Sequence, residues 1–104
     1  MEVREFQNKI LGFLSEWDKK RGDTPTKQKT FNHLIEEIGE LARQYVNKET
    51  RKEGYDEKEI ENAIGDIFMQ LTRLAHLHGL NIEQTVLKII KEEQEILKNK
   101  KELV

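Results

Sequence analysis

The sequence predicts an all-α protein built as a four-helix bundle, and three observations carry that prediction. Apolar residues recur at three- and four-residue spacing in four separate segments, the pattern of amphipathic helices. No segment alternates apolar and polar residues with period two, so strands are not expected. The single proline and three of the six glycines fall between the segments, where breaks belong.

The first helix is expected over about residues 2–19, where Val3, Phe6, Ile10, Phe13, Leu14 and Trp17 form one stripe. The stretch from Lys19 to Thr24 breaks it. Thr24 followed by Pro25 reads as an N-cap with proline in the first helical position. The second helix, about 25–48, carries Phe31, Leu34, Ile35, Ile38, Leu41, Ala42, Tyr45 and Val46. A polar, charged loop around Gly54 follows, and Asp56 with Glu59 looks like a cap. The third helix, about 57–78, presents Ile60, Ile64, Ile67, Phe68, Leu71 and Leu74, and Gly79 is placed to end it. Asn81 caps a fourth helix over about 82–98, where Val86, Ile89, Ile90, Glu93 and Leu97 share a face; the charged tail from Lys98 to Glu102 reads as a fraying end. Short connections favour antiparallel neighbours. Residues 1–104 are expected to form one domain. Trp17, Phe31, Tyr45 and Phe68 lie on the stripes and are expected in the core.

Composition excludes several functions. Lys and Arg number 18 against 20 Asp and Glu, a net charge of −2, so no global field draws nucleic acid or an anionic membrane. The absence of cysteine removes disulfides and thiolate metal sites. The charged opening Met1–Glu5 leads to no apolar signal core, and no apolar run approaches the ~20 residues of a membrane helix. A cytoplasmic protein is expected. Its core is small enough that further burial by self-association is expected, on the outer side of the first or third helix.

Glu36, Glu37 and Glu40 are distinguished from other acidic residues by their position. Glu37 and Glu40 project close together at the border of the stripe formed by Leu34, Ile38 and Leu41. On the third helix Asp66 holds the same border position, with Asn62 one turn earlier and Gln70 one turn later. Two such borders facing each other would gather oxygen donors of the kind Mg²⁺ or Mn²⁺ takes. The alternative is a solvated acidic face with ion pairs.

The runs His33-Leu-Ile-Glu-Glu-Ile-Gly-Glu-Leu-Ala42 and Ala63-Ile-Gly-Asp-Ile-Phe-Met-Gln-Leu71, continued by Leu74-Ala-His-Leu-His-Gly-Leu-Asn-Ile-Glu83, resemble the MazG-type nucleoside triphosphate pyrophosphohydrolases. The resemblance extends from about Trp17 to Leu97 and includes Gly39 and Gly65. It implies an all-helical fold, dimers or tetramers, and Mg²⁺-dependent hydrolysis of a nucleoside triphosphate to the monophosphate and pyrophosphate. By position it implies Glu37, Glu40 and Asp66 as metal ligands and Glu36 as the residue that orients or deprotonates the attacking water. One departure matters: Ala63 stands where the family's E-x-x-D motif has its glutamate, and Asn62 beside it is the substitute ligand. Glu59 shares that stripe but lies nearly two turns from Asp66, about 10 Å along the axis. Family members often carry basic residues late in the chain, which makes Lys91 the first candidate for the phosphates, ahead of Lys88 and Lys98. His33, one turn before Glu37, is a candidate substrate contact. Because of Ala63, a rival reading is a degenerate member that binds nucleotide or a protein partner without hydrolysis.

Overall fold

The computed structural model describes residues 1–50 and 54–103. The expected charged loop falls partly on residues 51–53, which lie outside the described residues. Four helices follow one another, α1 (Val3–Arg21), α2 (Lys27–Thr50), α3 (Glu57–Leu77) and α4 (Ile82–Leu103), with no strand among the described residues. No helix is long and apolar enough to cross a membrane.

Helix ends follow local chemistry. Gly22 takes a left-handed φ of 64° and its N–H reaches back to the last carbonyls of α1, basic in its last turn. The cap of α2 is Thr26, not Thr24. Its hydroxyl accepts the Lys29 N–H at 3.1 Å, so the helix begins two residues later than expected and Pro25 stays outside. Asp56 caps α3 by accepting the Lys58 N–H at 2.9 Å. At the other end Gly79 adopts φ 71°. Asn81 accepts the Gln84 N–H at 3.0 Å to start α4. The tail expected to fray continues α4 as helix to Leu103.

Packing is uneven along the chain. α2 and α3 form a long antiparallel hairpin, and α1 crosses α3. Phe6 meets Phe68 there with ring centroids 5.6 Å apart, and Arg73 Nη2 donates to Asp18 Oδ2 at 2.9 Å. α4 touches α3 lightly and has no buried residue among those described. The radius of gyration is 17.7 Å, against about 13 Å for a compact domain of this length.

Among the described residues the buried hydrophobic side chains are Ile10, Leu14, Leu34 and Ala63, matched by the buried polar residues Gln7, Thr30, Gln70 and Thr72. The aromatic residues expected in the core, Trp17, Phe31, Tyr45 and Phe68, are instead exposed. The stripes form as predicted, but one chain does not supply enough surface to cover them.

Candidate functional site

The seam of the α2/α3 hairpin is the starting point. On α2 the row Thr30, Leu34, Glu37, Leu41 and Gln44 is buried or half-buried. On α3 the row Glu59, Ala63, Asp66, Gln70 and Arg73 lies opposite. Both rows step by four and three residues, the spacing that keeps one helix face against a neighbour. Gln44 Oε1 accepts the Asp56 N–H at 2.9 Å, fixing the turn end of the hairpin. Most positions in this seam are polar. The hairpin therefore encloses chemistry where a bundle ordinarily encloses leucine.

At the turn-proximal half the seam opens into a cavity of about 310 Å³ lined by Glu37, Glu40, Gln44, Glu59, Asn62, Ala63 and Asp66. Four carboxylates and two amides line it, an all-oxygen donor set suited to a hard divalent cation. Among the described residues no three His, Asp or Glu side chains converge closely enough to hold an ion. The donor chemistry fits Mg²⁺ or Mn²⁺, and drawing these side chains onto one ion requires rotamer movement in α2 and α3.

A second cavity, about 400 Å³, adjoins the first. Phe13, Leu14 and Trp17 of α1 form its apolar side, and Arg21, Lys29 and Arg73 supply positive charge. Asp18, Asp23 and Asp66 set three carboxylates against these cations, and Met69, His33, Pro25 and the buried Thr30 and Gln70 complete the wall. Arg21 stacks over the Trp17 ring at 4.7 Å. Lys29 Nζ donates to Asp23 Oδ1 at 3.1 Å, and this hydrogen bond, with the ammonium charge, holds the Asp23 carboxyl below its usual range. His33 Nε2 lies 3.3 Å from Glu37 Oε1, a link between the two cavities. Asp66 is the wall they share.

Of the residues singled out from the sequence, Glu37, Glu40, Asn62 and Asp66 meet in one cavity, and His33 stands at its margin. Glu36 is exposed on α2 one turn before Glu40 and is not in the cavity wall. Lys91 is exposed on α4 and lines neither cavity. Glu59, set apart by its axial distance from Asp66, lines the same cavity as Asp66. Sequence reasoning missed Gln44, Arg21, Lys29 and Arg73. The seam periodicity itself would have found Gln44 and Arg73, had the polar residues been counted with the apolar ones.

The family model described as MazG nucleotide pyrophosphohydrolase domain matches residues 25–96, more than half of the chain, leaving α1 outside the matched region. No curated protein and no solved structure gives a significant match.

Proposed function

The chain belongs to the MazG nucleotide pyrophosphohydrolase family, and from that premise we propose that it hydrolyses a nucleoside or deoxynucleoside triphosphate to the monophosphate and pyrophosphate with a divalent metal. The observation that carries this reading is Asp66, the common wall of an acidic cavity and of an aromatic one in which Arg21, Lys29 and Arg73 face Asp18, Asp23 and Asp66. A triphosphate ligand needs both surroundings side by side: oxygen donors for the cation that accompanies its phosphates, and cations and rings for the rest.

In this reading Glu37, Glu40 and Asp66 hold Mg²⁺ or Mn²⁺, with Asn62 as a neutral ligand where Ala63 offers none. When bound, the ion neutralises phosphate charge and acidifies a coordinated water. Glu36, on the same side of α2 as Glu40, orients or deprotonates the attacking water. Arg73, Lys29 and Arg21 are better placed than Lys91 to stabilise the phosphate charge that grows on departing pyrophosphate. Arg73 is held in place by Asp18 at 2.9 Å. Phe13 and Trp17 stack on the base, Gln70 offers its amide to the base edge, and His33 positions the phosphates. The protein works in the cytoplasm as a single-domain subunit of a homodimer or homotetramer, without nucleic-acid or membrane partners.

Pyrophosphate release across a panel of ribo-, deoxy- and modified triphosphates, with and without Mg²⁺ or Mn²⁺, tests the reading. Metal-dependent release with at least one triphosphate is expected. One observation favours a second reading, a member that binds nucleotide or a partner protein without hydrolysis: Ala63, buried in the seam at the family's acidic position. Nucleotide-induced thermal stabilisation with no pyrophosphate from any substrate would favour it.

A further inference from the structure

Phe6 and Phe68 meet where α1 crosses α3. One residue past Phe6 and one turn past Phe68, Gln7 and Thr72 are the buried residues of a further cavity of about 350 Å³. His76 of α3 and Leu80 and Asn81 of the turn into α4 stand in its wall, with Leu11 of α1. It shares no lining residue with the two cavities along the hairpin.

Gln7 is 6% exposed, and its Oε1 has no hydrogen-bond partner among the described residues. A buried amide oxygen in that state is unfavourable, because water has been stripped from it and nothing has taken its place. Its register is apolar. Val3, Ile10 and Leu14 flank it at three- and four-residue steps, so a leucine would complete the stripe without stranding a polar atom. The surrounding groups define what fits. The Thr72 hydroxyl donates to the Phe68 carbonyl at 2.9 Å, which leaves the lone pairs of its oxygen to accept. Asn81 Oδ1 is taken by the Gln84 N–H at 3.0 Å, so the amide nitrogen is the part left to donate. No Lys, Arg, Asp or Glu lines the cavity, so a charged ligand would find no counter-ion. Leu11 and Leu80 offer it apolar surface.

We propose that this cavity is a binding site, separate from the hairpin seam, for a small uncharged molecule bearing a carboxamide or lactam group. Its N–H donates to Gln7 Oε1, and its carbonyl accepts from Gln7 Nε2 or the Asn81 amide. A group with donor and acceptor on one edge satisfies the Gln7 amide whichever way that amide is turned. A carboxylate or an ammonium satisfies it in one orientation only. The site goes beyond the hydrolytic reading. Thr72 lies six residues past Asp66, about 9 Å along the axis, and Gln7 and Leu11 precede residue 25, where the family match begins. A bound molecule would join α1 to the start of α4, which otherwise touches α3 lightly, and so would raise the melting temperature.

The test is amide NMR on the isotopically labelled chain, titrated with benzamide, with uracil, and with benzoate, which has a ring but no N–H. At least one of the first two is expected to shift the Gln7 side-chain amide and the Thr72 and Asn81 amides saturably, with a Kd of about a millimolar. Benzoate should bind at least about tenfold more weakly. Gln7→Leu, checked for helicity by circular dichroism, should lose about tenfold in affinity. Thr72→Val, which keeps the shape and removes the hydroxyl, should also weaken binding, and it decides the matter if the leucine variant does not fold. The proposal is overturned if neither benzamide nor uracil binds saturably, in which case water alone satisfies Gln7. It is overturned equally if the shifts are confined to the Trp17 indole, if benzoate binds as well, or if the folded variants bind like wild type. None of these readouts involves pyrophosphate release, so failure here leaves the hydrolytic reading standing.

Discussion

Leu34 and Ile35 are neighbours in sequence and opposites in circumstance. Leu34 lies in the seam of the hairpin and is 7% exposed, while Ile35, one residue and roughly 100° further round α2, is half-exposed. The seam side is where the helices touch, yet it carries Glu37, Gln44, Glu59, Asp66, Gln70 and Arg73. The outer side is where they do not touch, yet it carries the isoleucines. The comparison teaches that the hairpin places polar side chains where its helices meet and its apolar row where they do not.

The sharpest way to break that comparison is to truncate both neighbours. Leu34→Ala removes a buried side chain and is expected to cost about 2–4 kcal/mol. In a lone chain Ile35→Ala would change stability by under about 0.5 kcal/mol. If the outer face is covered by a second copy, the cost rises to about 2 kcal/mol and depends on protein concentration. Urea unfolding of both variants at two concentrations separates the cases.

The seam is tested next. Glu37→Gln and Glu40→Gln keep shape and remove a ligand charge. Wild type with nucleotide and Mg²⁺ or Mn²⁺ at about a hundred times Kd should gain about 2.7 kcal/mol. Both variants should lose most of that gain while melting without metal at or above the wild-type temperature. Equal metal-induced shifts in all three proteins would remove these glutamates from the ligand set.

A smaller effect is expected from Ala63→Glu, which points a carboxylate into the acidic cavity one turn before Asp66. Metal affinity should rise about tenfold, some 1.4 kcal/mol. Asn62→Ala should weaken binding in wild type but matter less beside Glu at position 63, because groups that share one ion are not additive. Additive effects measured by calorimetry would make Asn62 a bystander. Apo stability should fall, since the new side chain joins Glu37, Glu40, Glu59 and Asp66 around one cavity.

The smallest effect lies at the hairpin turn, away from both faces. The Tyr55 hydroxyl donates to the Glu57 carboxylate, and that hydrogen bond, with some burial and the Glu57 charge, pushes the phenol up to about 12. A raised phenol pKa favours the neutral form in the folded chain. Its contribution is present below pH ~10 and is lost as pH climbs toward 12. Absorbance titration near 295 nm should find this phenol ionising late, and Glu57→Ala should return it to the ordinary range near 10.

Much of the fold was legible because it depends on local rules. The helices, the Asp56 and Asn81 caps and the Gly79 exit follow from spacing and side-chain chemistry alone. The Thr24-Pro25 pair has the pattern of a cap, but a hydroxyl stands on either side of Pro25, and only the folded chain shows that Lys29 N–H reaches Thr26. The meeting of Glu37, Glu40, Asn62 and Asp66 was legible as two stripe borders that face each other. The placement of Arg73 and Lys29 was not, because it depends on how α1 crosses the hairpin. The exposure of Trp17, Phe31, Tyr45 and Phe68 was not legible, because periodicity identifies an apolar face without saying what covers it.

Asp66, as the wall common to both cavities, would make the proposed site a gauge of ligand length. A molecule engaging the rings of α1 and the carboxylates of the seam must extend past this one side chain. In the proposed reading a nucleoside triphosphate would occupy both compartments at once. A monophosphate anchored by its base holds one compartment only and gives up every contact in the other. If the proposed hydrolysis takes place there, cutting the ligand in two would leave pieces that each reach only one compartment.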